Sequence, residues 1–150
     1  MREEMQTLEA TLHHEIPLTR ALGVTVEDYD GQVLSLKAPL EPNINHKDTA
    51  FAGSLNALVT LSGWGLVWLI LKEAGIAAKI VIQDSQVNYT LPVAGDFVAC
   101  CRKPDPAQLE RFQAMLVKKG RARLELGAEI RVGSRAAVTF QGRYVAHLVR

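Results

Sequence analysis

The chain has 150 residues, 48% of them hydrophobic, with 17 basic and 16 acidic side chains and a formal net charge of +1. That length suits one domain with a real core and is too short for two ordinary ones, and the near-neutral balance argues against nucleic acid or an anionic membrane as a partner. The charged, amphipathic start MREEMQTLEATLHHE has no apolar signal-peptide core, and the adjacent Cys100 and Cys101 lack metal or redox spacing, so reduced structural cysteines in a cytoplasmic protein are expected.

In chain order, residues 2–13 fit a short amphipathic helix with Met5, Leu8 and Leu12 on one face. Ile16 to Leu22 reads as a further helical turn or two, stopped by Gly23. Val24 and Val26 alternate with Thr25 and Glu27 as a strand. Asp30-Gly31 marks a hairpin turn, and Leu34, Leu36 and Ala38 form the returning strand, ended by Pro39 and Pro42. A polar loop, residues 43–52, leads into Gly53–Leu71, nineteen residues without a charge, closed by Gly75.

The second half is β-rich. Ile80 and Ile82 are in phase, whereas Val87, Tyr89 and Leu91 are shifted by one residue, which predicts a bulge around Asp84–Gln86. Phe97 to Arg102 reads as a strand on which Cys100 and Cys101 face opposite ways. Pro104-Asp105-Pro106 opens a short helix or ordered loop through Lys118. Ala122 to Val132 alternates cleanly, Gly133-Ser134 turns the chain, and Val138 to Leu148 supplies the partner strand.

The run Gly53–Leu71 approaches the length of a membrane span. Yet it contains Asn56, Thr60, Ser62, Gly63 and Gly65, and the segments after it alternate like strands of a soluble sheet. A helix apolar on all sides is then a core helix wrapped by protein. The expected fold is α+β: a curled antiparallel sheet wrapped around a long central apolar helix, as one domain over 1–150.

The chemistry concentrates where the polar loop enters that helix. A helix N-terminus offers unpaired N–H groups and partial positive charge to an oxyanion, and an apolar wall lies behind it, which suits a thioester carbonyl on a small acyl chain. After Asp48 the next acidic residue is Glu73, about five helical turns beyond Gly53. Asn56, Thr60 and Ser62 are not bases near neutral pH. A site rich in donors and poor in bases fits decarboxylation of a malonyl thioester, in which the protein stabilises an enolate oxygen and desolvates a carboxylate. Hydrolysis of an acyl thioester, with Asp48 or a bulge residue positioning water, stands beside it. So does a non-catalytic acyl-thioester binding protein, although no DNA-binding segment accompanies the domain.

Several residues carry both a functional and a plain reading. Asn45 is the leading catalytic candidate, as amide donor to the enolate oxygen, or else a turn residue. His46 is a donor to the thioester carbonyl or a solvent-facing loop histidine. Lys47 is a phosphate or carboxylate partner or a solvated lysine, and Asn43 is structural. Asp48 and Thr49 stand where they would cap the helix. Gly53 and Ser54 supply backbone N–H groups to the oxyanion, or Gly53 packs tightly against the sheet. Asn56 and Thr60, one turn apart, line the pocket or hydrogen-bond within a dimer core, and Trp64 and Trp68 are core. Gln83, Asp84, Ser85 and Asn88, at the slipped strand phase, form a secondary zone. Arg102, Lys103, Lys118, Lys119, Arg121 and Arg123 steer an acidic carrier or hold phosphates, or form an ordinary charged rim.

The order of elements resembles the hotdog fold over nearly the whole chain. The segments Asn45-His46-Lys47-Asp48-Thr49-Ala50-Phe51-Ala52-Gly53-Ser54-Leu55 and Leu61-Ser62-Gly63-Trp64-Gly65 resemble small bacterial hotdog proteins long labelled thioesterases. Members of that group are malonyl-acyl carrier protein decarboxylases, which make acetyl-acyl carrier protein to start fatty acid synthesis. The resemblance implies a homodimer or dimer of dimers with sites between subunits, and an acyl carrier protein or CoA thioester as substrate. It implies no separate cofactor, because the phosphopantetheine arrives as part of the substrate. By the same resemblance Asn45, His46, Gly53 and Ser54 are catalytic candidates, and Asp48, Thr49, Phe51, Asn56, Thr60 and Asn88 contact substrate.

Overall fold

The computed structural model describes residues 2–149. Helices α1 (Arg2–Glu15) and α2 (Leu18–Leu22) precede a hairpin of β1 (Thr25–Tyr29) and β2 (Val33–Ala38). A 3-10 turn (Glu41–Asn43) and a loop then lead to helix α3 (Ala52–Ala74). Strands β3 (Ala78–Tyr89) and β4 (Phe97–Arg102), helix α4 (Pro106–Lys119), and the long hairpin β5 (Arg121–Val132) and β6 (Arg135–Leu148) complete the chain.

The six strands form one antiparallel sheet in the order β1-β2-β4-β5-β6-β3. On β5 and β6 the alternation of the sequence becomes alternation of burial: Ala122, Leu124, Leu126, Ala128 and Ile130 face inward with Val138, Phe140, Tyr144 and Ala146. They meet α3, whose Leu58, Val59, Leu66, Val67 and Leu69 are fully buried. Helix α3 is long and apolar enough to cross a membrane, but 72% of its most apolar window lies inside the protein. The α+β architecture, with a curled sheet around a long central helix, is the one the sequence predicts.

Two glycines let the sheet close on this helix. A methyl at Gly63 would overlap the hydroxyl of Tyr144, which donates to Thr60 O at 2.6 Å, and one at Gly65 would lie 2.9 Å from Leu34 Cδ2. Gly63-Trp64-Gly65 is thus a packing motif in which β6 and β2 each approach the helix backbone.

The structure corrects local expectations. The bulge in β3 falls between Ile82 and Asp84, slightly before the predicted place, and a second irregularity sits between Val26 and Asp28 in β1. Residues 106–119 form a regular 14-residue helix, where a short helix or loop was expected. Its ends are conventional: Asp105 accepts from Gln108 N at 2.9 Å, Pro106 occupies the first turn, and Gly120 closes it at φ 78°. Alternation on the flanking strands obscured a helix buried only at Phe112 and Leu116.

Candidate functional site

The loop before α3 is built by two asparagines. Asn43 is 3% exposed; its Nδ2 donates to Leu22 O at 2.9 Å and Pro39 O at 2.8 Å, and its carbonyl accepts from Phe51 N at 2.7 Å. It is a structural brace, as its sequence position suggested. Asn45 organises the tip: its Oδ1 accepts from Lys47 N at 2.8 Å and Thr49 N at 3.2 Å. Asn45 Nδ2 donates to Thr49 Oγ1 at 2.9 Å, and its other neighbour, Ala50 O, is at a long 3.4 Å. One amide N–H therefore has only a weak, long partner.

Asp48 and Thr49 do not cap α3. The N-cap is Phe51, which makes no side-chain cap bond. Asp48 lies at the exposed tip in the left-handed region (φ 62°), and Thr49 is engaged with Asn45. The reason is the bridge between Ile44 and Ala50, which closes the loop before the helix begins. The first N–H groups are consequently left open. Ser54 N donates to Phe51 O at 2.9 Å, so the N–H groups without a partner among the described residues are those of Ala52 and Gly53. Of the pair Gly53 and Ser54 singled out in the sequence, only Gly53 keeps an open N–H. Gly53 is exposed, and a methyl there would overlap the ring of Phe51, itself 57% exposed.

Beside this helix start lies a cavity of about 340 Å³, lined by Asn45, Ala50, Ala52, Leu55, Tyr89, Thr90, Leu91, Pro92 and Val93. The segment after β3 that forms its far wall is tied to the loop by Ala50 N donating to Val93 O at 2.8 Å. No acid, histidine or lysine is among the lining residues. Tyr89, 46% exposed, and Thr90 belong to this wall, although the sequence marks Tyr89 only as a member of the slipped strand phase. The Ala52 N–H was likewise invisible, since alanine carries no chemical signature.

The other candidates are distributed. His46 and Lys47 are exposed on the loop. Asn56 and Thr60 are half-buried on α3, where Thr60 Oγ1 donates to Asn56 Oδ1 at 3.1 Å. With Trp64 and Trp68, also half-buried, they form a stripe down the least covered side of the helix. Trp64 Nε1 reaches Ile80 O at 3.3 Å. Asn88 is not brought to the Asn45 cavity. It lies on the opposite sheet face, in a groove of about 620 Å³ with Gln86, Cys100, Arg102, Glu129 and Gln141. Neighbouring Asp84 is bound by Arg143, which holds its carboxyl below the usual range.

Electrostatics separates the two ends of α3. Glu73, 21 residues beyond Ala52 and so about 30 Å away by helix rise, accepts from Tyr29 Oη at 2.6 Å and pairs with Lys103 at 2.7 Å. Burial, then the Glu73 bond, pushes the Tyr29 hydroxyl well above its ordinary pKa. Burial does the same to Tyr144 and, with neighbouring Cys100 adding a smaller push, raises the Cys101 thiol to about 12. Among the described residues no three His, Cys, Asp or Glu side chains converge as a metal-binding group.

Residues 5–148 match the family described as "Putative thioesterase (yiiD_Cterm)". The structure is similar to that of a protein of unknown function from Chlorobaculum tepidum, with 34% identity, 97% of this chain and 94% of that chain covered, and a TM-score of 0.93. A "putative thioesterase" from Shewanella oneidensis is similar at 30% identity, with 98% and 99% covered and a TM-score of 0.89. A Pseudomonas aeruginosa protein at 17% identity, with 96% and 95% covered and a TM-score of 0.81, shares the fold.

Proposed function

The chain belongs to this thioesterase-type hotdog family, and from that premise we propose that it decarboxylates a malonyl thioester carried on acyl carrier protein. The observation that carries this reading is a cavity at the open N-terminus of α3 with donors and apolar walls but no carboxylate lining it. The loop acid Asp48 is exposed at the loop tip, and Glu73 is held by Tyr29 and Lys103 at the other end of the helix. In the proposed reaction the bond between the malonyl carboxylate carbon and the α-carbon breaks. Its electron pair moves onto the α-carbon and thioester oxygen as an enolate while CO₂ leaves. The Ala52 and Gly53 N–H groups and the Asn45 amide donate to that oxygen, and Leu55, Leu91 and Val93 keep water from the departing carboxylate. A proton from solvent then completes the acetyl thioester.

A homodimer accompanies this reading. Edge strand β1 is covered by α1, whose Glu9 accepts from Val26 N at 2.7 Å and whose His13 Nε2 lies 2.7 Å from Val24 O. Edge strand β3 carries exposed Val81 and Tyr89 beside the half-buried stripe of α3, a surface suited to a second copy pairing about a two-fold axis.

The test is incubation of the purified protein with malonyl-acyl carrier protein, followed by intact mass. Loss of the mass of CO₂ with acetyl left on the carrier is the expected result, and the free-thiol carrier would overturn decarboxylation. Hydrolysis is the second reading, favoured by the description of the family and of its Shewanella oneidensis relative. It makes Asp48 the base to mutate.

A further inference from the structure

At the far end of the strands from the Asn45 cavity, the outer sheet face carries a concentration of positive charge. Lys79 of β3, His147 of β6 and Arg121 of β5 stand side by side across three strands, and Arg123 follows beside Val145. Lys119, in the last turn of α4, joins Arg121 and Arg123 around a groove of about 370 Å³ that also contains Met115, 49% exposed, and buried Val145. Lys79, Lys119, Arg121 and Arg123 are all exposed. The ion pairs among the described residues are Lys103–Glu73, Arg131–Glu129 and Arg143–Asp84, so none of these four cations is neutralised by contact. The nearest acids along the strands, Asp84 and Glu125, flank Arg143 in the adjacent row. A cluster of unpaired cations around an apolar groove complements an acidic protein surface with an apolar residue at its centre.

Its position decides which pocket it can serve. Val138 pairs with Tyr89 beside the Asn45 cavity, and His147 lies nine residues further along β6, about 30 Å away at strand rise. That is beyond the reach of a phosphopantetheine arm within one protomer. In the two-fold pair described above, antiparallel pairing of β3 with its copy over its full length sets Ala78 of one protomer opposite the partner's Tyr89, with Lys79 the next residue along. We propose that the cationic groove of Lys119, Arg121 and Arg123, with Lys79 in the strand row beside it, docks the acidic carrier protein, and that it serves the pocket of the partner subunit. This rests on the thioester-acting dimer of the preceding subsection.

The experiment compares malonyl-acyl carrier protein with malonyl-CoA and malonyl-pantetheine as probes, measuring loss of the malonyl thioester by either decarboxylation or hydrolysis. Arg121→Glu/Arg123→Glu should lower kcat/KM for the carrier substrate about 30-fold and leave malonyl-pantetheine unchanged. Lys119→Glu, on α4 and outside the sheet, should act in the same direction and guards against misfolding of the double variant. Mixing the double variant with Asn45→Ala, with subunit exchange verified by mass, should restore carrier turnover to about a quarter of wild type, since half the dimers then hold one complete site. No recovery on mixing would overturn action across the dimer. An equal loss on malonyl-pantetheine or malonyl-CoA would overturn carrier docking. A wild-type protein that stays monomeric, or that leaves malonyl-pantetheine intact, would instead overturn the reading on which the proposal rests.

Discussion

The two ends of α3 are opposites. At its C-terminus Gly75, in the left-handed region at φ 68°, and Ile76 donate to Lys72 O and Leu71 O, while Glu73 is bonded by Tyr29 and Lys103. At its N-terminus the cap residue makes no side-chain bond, the Ala52 and Gly53 N–H groups lack partners among the described residues, and the adjoining cavity carries no charge. A closed end stabilises; an open end leaves hydrogen-bonding capacity and partial positive charge for something else. The difference teaches that the one acidic residue of this helix belongs to the architecture, and that the open donors lie at the end without one.

Replacement of Asn45 should have the largest effect. Asn45→Ala should lower turnover by about 100-fold while the protein still folds. Asn45→Asp retains the acceptor for Lys47 N and Thr49 N but lacks the amide donor, so it should lose as much activity with a smaller loss of stability. Near-normal activity in both variants would remove the donor role.

At the opposite end, Glu73→Ala leaves the Tyr29 hydroxyl, on a residue 2% exposed, without its acceptor and should destabilise by about 2 kcal/mol in urea unfolding. Turnover per folded molecule should stay within about twofold, because the end is some 30 Å from the cavity. A large drop in kcat with unchanged stability would erase the contrast between the ends.

Asn56→Asp deliberately blurs it by placing a carboxylate one turn into the open end. Repulsion of the malonyl carboxylate should slow decarboxylation about tenfold at low salt and less at high salt. An unchanged rate would mean that Asn56 does not face the substrate.

The smallest effect is on pH dependence. The folded state holds the protons of Cys101 and Tyr29 more tightly than the unfolded chain does, so the contribution of these groups is complete below their unfolded pKa values. For Cys101 it should be lost as pH rises from about 9 to about 12. Cys101→Ala should flatten the fall in stability across that window, and an unchanged slope would show that the thiol is not the group titrating.

Much of the fold was legible because burial on one face writes period two into a strand. Leu124 to Ile130 and the returning β6 could be read directly, as could the Asp30-Gly31 turn, where Asp30 Oδ1 accepts from Gln32 N and Val33 N. Less of the site was legible. Asn45 was singled out and does line the cavity, but Tyr89, Thr90 and the Ala52 N–H were missed, because a backbone donor or a wall residue has no side-chain signature. Asn88 shares a phase slip with Tyr89 and still faces the other side of the sheet, since adjacent strand residues point in opposite directions.

By itself, then, the sequence determined the element types outside residues 106–119, the single core, the thioesterase-type hotdog family and the absence of charge from Gly53 to Leu71, all properties of local pattern and composition. Only the tertiary structure decided the strand order, the locking of Glu73 by Tyr29 and Lys103, and which helix N–H groups remain open. The first two depend on hydrogen bonds between residues far apart in the chain. Tyr29 and Glu73 are 44 positions apart, and nothing in either neighbourhood specifies the other. Their pairing follows from the way the sheet closes around the helix.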